Sequence, residues 1–333
     1  MRLCLAKAIP MMNEEPDYTE QLRRTKSLLV VSTLQQRLDL KARKLVEKFR
    51  ESLSFEPLKD FMIEESAWAY VTGARIRPQL VFCHPRMLIA HPVTSLYYRG
   101  MSGLSMKAAK EYFGAIEKLE SGSPTAKLSS EKALTMARTY NLFLSSIMVN
   151  SVRWTLENGR RTILATMGIT IDGMMRNKVG EIGEERVRRL VVEWLVSQDL
   201  VIAPPLKLES LPLTLPRRIE LRGDVLMKFS SEPDISFEQG GELKATVEVK
   251  GGIDPAGALE RYGAAKKSFE HAVKQSSRCR NFYLGGVLTE ELRRRINSDR
   301  LVERTYDVIS LLTKAEVRDD FLRELFHHTL RLI

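Results

Sequence analysis

The sequence predicts an α/β protein: a mixed β-sheet with helices on both faces in the C-terminal half, joined to a largely helical N-terminal half. Three observations lead there. From Pro233 to Gly252, PDISFEQGGELKATVEVKGG has two arms in which polar and apolar residues alternate, broken at Gly240-Gly241, which is the pattern of a β-hairpin. From Phe282 to Leu288, FYLGGVL is a short unbroken apolar run, as a strand buried on both faces shows. Elsewhere apolar residues recur at helical spacing over long stretches.

Taken in order, residues 1–16 are expected to be loose. Tyr18 to Leu53 carries Leu22, Leu28, Leu29, Leu34, Leu38, Leu45, Val46 and Phe49 near the helical period, with basic residues between them. The segment 66–100 sets Trp68, Tyr70, Val71, Val81, Phe82 and Tyr97-Tyr98 among Pro78, Pro85, Pro92 and Gly100, which predicts short strands and turns. Met101 to Leu119 is helical again. Glu120-Ser121-Gly122-Ser123-Pro124 then breaks the chain, giving a loop near 120–128. Ser129-Ser130-Glu131 opens a long helix reaching about Asn158, apolar over much of its girth and so central or covering an oligomer interface.

A further helix is predicted from Val179 to Gln198, with Val187, Leu190, Val191, Trp194 and Leu195 as its apolar stripe. Glu181, Glu184 and Glu185 fall in its first turn, where acidic groups suit the positive end of the helix dipole. Leu200 to Pro216, broken by four prolines, reads as a connection. Ile219 to Phe229 is a strand interrupted at Gly223-Asp224, and the hairpin follows. Asp254-Pro255 starts a helix to about Lys274. The strand 282–288, a helix from Thr289 to Ile296 and a last strand from Tyr306 to Leu312 come next. A final helix runs from Thr313 to Leu330, with Thr313 and Glu316 as a capping box. The order is read either as two domains, 1–178 and 179–333, or as one compact unit.

Composition narrows the function classes. With 333 residues, of which 44% are hydrophobic, the chain can build a full core. Lys and Arg number 52 against 42 Asp and Glu, a net charge of +10, which suits a polyanionic partner and also fits many ordinary soluble proteins. Cys4, Cys83 and Cys279 are scattered, without CxxC or Cys/His metal spacing, which argues against a disulfide framework. No apolar run approaches about 18 residues, so no membrane span is expected. The apolar stretch in MRLCLAKAIPMM is too short for a signal peptide, and the cytoplasm is the expected compartment. His84 and His91 lack a third ligand nearby and read as surface or hydrogen-bonded structural histidines. Arg75, Arg77, Arg86 and Arg99 are candidate phosphate contacts or, as scattered arginines usually are, residues that keep a surface soluble.

The hairpin carries the chemistry. Strand side chains alternate between faces, so Ile235, Phe237, Val247 and Val249 can fill a core while Asp234, Glu248 and Lys250 share the other side. Two carboxylates facing one point can hold a hard divalent cation such as Mg²⁺. The cation lowers the pKa of a bound water and neutralises charge growing on a phosphate. A lysine beside that water can orient it or stabilise the pentacovalent phosphorus. A solvated sheet face with three ordinary charges has the same spacing. Register distinguishes the arrangements. A two-residue loop at Gly240-Gly241 sets Asp234 opposite Val247, on the wrong face. A loop of Gln239-Gly240-Gly241 sets it opposite Thr246, on the face of Glu248 and Lys250. An odd loop or a bulge at the glycines is therefore expected.

Asp234 followed by Glu248-Val249-Lys250, with Pro233 ahead, matches the short PD-(D/E)XK nuclease signature. Three longer runs are more specific: VEVKGGIDPAGALERYGAAKKSF from Val247, SSEPDISF from Ser230 and HPVTSLYYRGMSGLSMKA from His91. They resemble the XcyI group of type II restriction endonucleases, relatives of XmaI, and the resemblance runs through most of the chain. It implies a PD-(D/E)XK restriction-endonuclease-like core in the C-terminal half. It implies Mg²⁺-dependent hydrolysis of double-stranded DNA at the palindrome CCCGGG, cutting after the first C to leave 5′ overhangs with 5′-phosphates. Asp234, Glu248 and Lys250 would be catalytic, with Asp234 and Glu248 as metal ligands. In many such nucleases a carboxylate on the helix before the sheet joins them, a position that falls on Glu181 or Glu184.

The resemblance further implies a restriction–modification system with a cognate DNA methyltransferase, and a homodimer matched to the two-fold site. It sets DNA close to the segment after Lys250, so Glu260, Arg261, Lys266 and Lys267 are candidate contacts. Arginine binds guanine O6 and N7, and a carboxylate accepts from cytosine N4. Two other readings stay open: another nuclease with this signature, serving DNA repair or recombination, and a basic DNA-binding protein without catalysis.

Overall fold

The computed structural model describes residues 18–151 and 153–332. They form two compact units, one of Leu28–Met174 and one of residues 18–27 with 175–332. The sheet lies in the second unit, so the chain is mixed α/β with a helical N-terminal half and a sheet in the C-terminal half.

Among its described residues the first unit has helices and turns and no strand. Helix α1 (Tyr18–Gln36) ends where Arg37 adopts φ 48°, and α2 (Leu38–Lys48) restarts after it. One continuous helical pattern is thus two helices. The strands expected over 66–100 do not form. That segment holds α3 (Glu65–Gly73), α4 (Pro85–Ala90) and α5 (Ser95–Met101), with 3₁₀ turns at Pro78–Leu80 and Pro92–Thr94. Its prolines open α4 and the two 3₁₀ turns, where the missing N–H leaves no bond unmade. The pieces are too brief to display a 3.6-residue period. Helices α6 (Met106–Phe113) and α7 (Glu117–Glu120) follow, then the loop.

Helix α8 (Ser130–Asn150) begins where Ser129 Oγ accepts from the Lys132 amide at 3.2 Å. Met136, Ala137, Tyr140 and Leu144 on α8 are fully buried, which makes it the centre of this unit. Asn141 Oδ1 accepts from the Cys83 amide at 2.6 Å, and its amide donates to the carbonyls of Phe61 and Cys83 at 3.0 Å. Arg99 is not available to phosphate: it is 2% exposed and paired with buried Glu120 at 2.8 Å. His84 Nδ1 accepts from the Arg86 amide at 3.2 Å, capping α4, and Nε2 lies 3.1 Å from the Ser54 carbonyl. It is a structural histidine. His91 packs edge-on against Phe49.

Helix α9 (Leu156–Ser197) is 42 residues long, so position 178 lies within it. Glu181, Glu184 and Glu185 are therefore in mid-helix, and the helix dipole does not explain them. The part before Val179 shows no clean apolar stripe, because Leu164, Gly168, Ile169, Asp172, Gly173 and Met174 are exposed.

In the second unit a seven-stranded sheet runs in the order of the chain. Its strands are β1 (Val201–Ala203), β2 (Arg218–Leu221), β3 (Val225–Phe229), β4 (Ile235–Gln239), β5 (Glu242–Lys250), β6 (Arg280–Gly285) and β7 (Arg304–Asp307). Neighbours from β1 to β5 are antiparallel, and β5, β6 and β7 are parallel. The parallel pairs need crossovers, supplied by α10 (Ala258–Gln275) and α11 (Glu290–Asp299). Helices α12 (Val308–Thr313) and α13 (Ala315–Leu322) and a π-helical turn, Arg323–Thr329, end the unit.

Four expectations change. The connection 200–216 contributes β1. The interrupted strand 219–229 is two antiparallel strands folded at Gly223 and Asp224, with φ 71° and 57°. The last strand stops at Asp307, whose Oδ1 accepts from the Ser310 amide at 2.7 Å and turns the chain into α12. The capping box at Thr313 does not form: Thr313 closes α12 and donates to the Ile309 carbonyl at 2.7 Å.

One sheet face packs Ile235, Phe237, Val247, Val249, Phe282 and Leu284 against Val187, Val191 and Leu195 of α9, with Phe321 and Phe326. A second cluster joins Tyr262, Ala265 and Phe269 of α10 to Tyr283 of β6 and Leu292 of α11. Each large apolar side chain so buried contributes roughly 1.5–3 kcal/mol. No helix among the described residues is long and apolar enough to cross a membrane.

Candidate active site

The β4–β5 hairpin turns on Gly240-Gly241, with φ 57° and 78°, a conformation that suits glycine. Gln239 pairs with Glu242 across it, so the loop has two residues and not three. Glu238 then pairs with Leu243, and Phe237 with Ala245, which leaves Lys244 extra. The expected irregularity exists, but it is a bulge at Lys244 and not at the glycines. Its effect is to advance the register by one. Ile235 pairs with Val247, and the next step brings Asp234 beside Glu248 rather than Thr246. Odd and even alternatives at the loop alone could not reveal this, because the extra residue sits inside β5.

The three predicted residues converge. Lys250 Nζ lies 2.6 Å from Glu248 Oε2 and 3.4 Å from Asp234 Oδ2. The Val249 amide donates to Asp234 Oδ2 at 2.7 Å. Asp234 is 3% exposed and Glu248 0%, so this is not a solvated sheet face. Burial, then the Asp234 charge, pushes the Glu248 carboxyl up to about 7 against the pull of Lys250. Burial opposes the Lys250 ammonium, yet Asp234 and Glu248 together raise its pKa, so it stays charged.

Of the helix carboxylates, Glu184 is linked to the cluster through Arg188, which lies 3.9 Å from Asp234 Oδ1, and Glu181 is not. Glu184 ion-pairs with Arg188, and its pKa is raised by burial and then by Asp234. Glu181 faces out, 63% exposed, and pairs with Lys178 at 2.8 Å. Glycines allow the approach. A Cβ on Gly251, next after Lys250, would stand 3.0 Å from the Gly180 carbonyl and 3.2 Å from the Gly183 Cα. Backbone of α9 thus rests on backbone at the end of β5, and Glu184 follows Gly183 into the site. No pattern in the sequence singles out Gly180, Gly183 or Arg188: a helix glycine and an Arg four residues after a Glu are both common on helices.

The candidate DNA contacts on α10 divide. Arg261 donates to the Asp254 carbonyl and fills the space beside Gly252 and Gly257. Lys266 pairs with Asp299 at 3.0 Å. Glu260 and Lys267 are exposed. Ser268 on α10 is a buried neighbour of Glu248 that no pattern in the sequence announced, and neither its Oγ nor Glu248 Oε1 has a hydrogen-bond partner.

Among the described residues, no group of three or more His, Cys, Asp and Glu is arranged as a metal site. Two carboxylates do meet there, and Glu248 Oε1 is buried without a hydrogen-bond partner. An unpaired anionic oxygen out of water is costly, and a cation satisfies it. The donors are all oxygen, which suits Mg²⁺. Asp234 and Glu248 therefore fit a divalent cation.

No curated protein matches the chain. The family model described as XcyI restriction endonuclease matches residues 34–328, a span that contains the hairpin, Glu184 and most of both units' cores. On that match the chain belongs to the XcyI restriction endonuclease family, and so to the nucleases among the hydrolases.

Proposed function

We propose that the chain hydrolyses phosphodiester bonds of double-stranded DNA as a Mg²⁺-dependent type II enzyme, with Asp234, Glu248 and Lys250 as its catalytic residues. The observation that carries this reading is the buried Asp234–Lys250–Glu248 cluster, with one Glu248 oxygen unpartnered. Asp234 and Glu248 hold the cation, and Glu184 is the candidate third carboxylate. When bound, Mg²⁺ acidifies a water and offsets charge on the phosphate. Lys250, kept protonated by its two neighbours, stabilises negative charge on the phosphorane or orients the attacking water. The Val249 amide fixes one Asp234 oxygen and so limits its rotamers.

The family's CCCGGG site, cut after the first C, is the proposed specificity, with a homodimer as the acting form and a cognate methyltransferase protecting host DNA. A non-catalytic DNA-binding protein is disfavoured, because carboxylates beside phosphates repel and bring a mere binder nothing. The test is digestion of plasmid and of a defined duplex, with and without Mg²⁺, followed by mapping of the ends. Discrete fragments with 5′ overhangs at CCCGGG support the proposal. Smearing or structure-dependent nicking points to a repair or recombination nuclease. Retarded but uncut DNA points to a binder.

A further inference from the structure

Asp234 stands one residue ahead of β4, at the end of the turn that leaves β3 at Phe229. We propose that Arg188 is a positioning residue of the centre, setting Asp234 by clamping this turn to α9; the inference rests on the metal-dependent reading above. Arg188 Nη2 donates to the Ser230 carbonyl at 2.8 Å and to the Asp234 carbonyl at 3.2 Å, so one side chain grips both ends of the turn. Ser230 Oγ donates to the Pro233 carbonyl at 2.5 Å from within it. The guanidinium also lies over the Phe229 ring, 5.3 Å from its centroid, and ion-pairs with Glu184 one turn earlier on α9. Its approach to the Asp234 carboxylate itself is looser, 3.9 Å to Oδ1. The close contacts are thus to the main chain that carries Asp234, and all come from Nη2, at the end of a side chain whose flat guanidinium also covers the Phe229 ring.

Charge and positioning predict opposite signs. A guanidinium beside Glu184 and Asp234 repels an incoming cation, so its removal should tighten cation binding if charge is all that it contributes. If Arg188 holds Asp234 in place, its removal loosens a cation ligand, and binding weakens although a positive charge has gone.

The experiment is calorimetric titration of the full-length protein with Mn²⁺, without DNA, for wild type, Arg188→Ala and Arg188→Lys. Thermal unfolding of each and the Mg²⁺ dependence of plasmid cutting run alongside. The inference expects Mn²⁺ affinity to fall about tenfold or more in Arg188→Ala and by a smaller factor in Arg188→Lys. The Mg²⁺ needed for half-maximal cutting should rise in the same order. Equal or tighter Mn²⁺ binding by folded Arg188→Ala overturns it. Should that variant fail to fold, Arg188→Lys decides: it keeps the charge, so wild-type affinity overturns the inference and a weaker one upholds it. A wild type that binds no Mn²⁺ would overturn the metal-dependent reading, and this inference with it.

Discussion

Replacing Glu248 by glutamine should make the metal-free protein more stable while abolishing cutting. Glu248 is fully buried, and its carboxyl is raised from 4.5 to about 7 by burial and by Asp234. Each unit corresponds to about 1.4 kcal/mol, so ionised Glu248 costs at most about 3 kcal/mol near neutral pH. The folded state holds its proton more tightly than the unfolded chain. Stability from this group is therefore complete below about pH 4.5 and is lost as pH climbs to about 7. Glutamine carries no such penalty and still offers an oxygen to Lys250, though the 2.6 Å contact loses its charge. A net gain of about 1–3 kcal/mol is expected at about pH 8, vanishing near pH 4. Urea unfolding in EDTA across that range measures it. Added Mg²⁺ should raise the stability of wild type and leave the variant unchanged. A variant less stable than wild type at about pH 8, or a difference independent of pH, would refute the claim that this carboxylate is held at a cost.

Three further outcomes are expected. Glu184→Gln should raise the Mg²⁺ needed for half-maximal cutting about tenfold, whereas Glu181→Gln, on an exposed side chain, should match wild type in the same titration. Gly251→Ala should destabilise by about 1–3 kcal/mol and slow cutting, since its Cβ would meet the Gly180 carbonyl at 3.0 Å; Gly263→Ala, with nothing within 4 Å, should be neutral or stabilising in the same melts. Ser268→Ala removes a group that lowers the Glu248 pKa, so the acid limb of the cutting profile should move to higher pH, and an unmoved limb would show that the hydroxyl does not act on Glu248.

Much of the site was legible because strand alternation is strict. Knowing only that Val247 and Val249 face a core commits Glu248 and Lys250 to the other side. The bulge was legible as a need and not as a place, because Lys244 looks like any strand lysine until its neighbours are paired. The segment 66–100 was misread for a different reason. Proline and aromatic residues favour turns and strands locally, but burial of Val71, Val81, Phe82 and Met87 around α8 decides for short helices. The end of the chain failed similarly: ISLL in α12 has strand-like composition, and the cap at Asp307, a tertiary position on β7, settles it. The clamp by Arg188 was not legible at all, since the Ser230 and Asp234 carbonyls that it holds lie more than forty residues along the chain.

The most direct test of the central claim separates chemistry from binding. Asp234→Ala, Glu248→Ala and Lys250→Ala should each lose Mg²⁺-dependent cutting of plasmid DNA while still retarding a duplex that carries the wild-type cleavage site. Loss of DNA binding in step with cutting in all three would contradict the account and make the cluster a structural one.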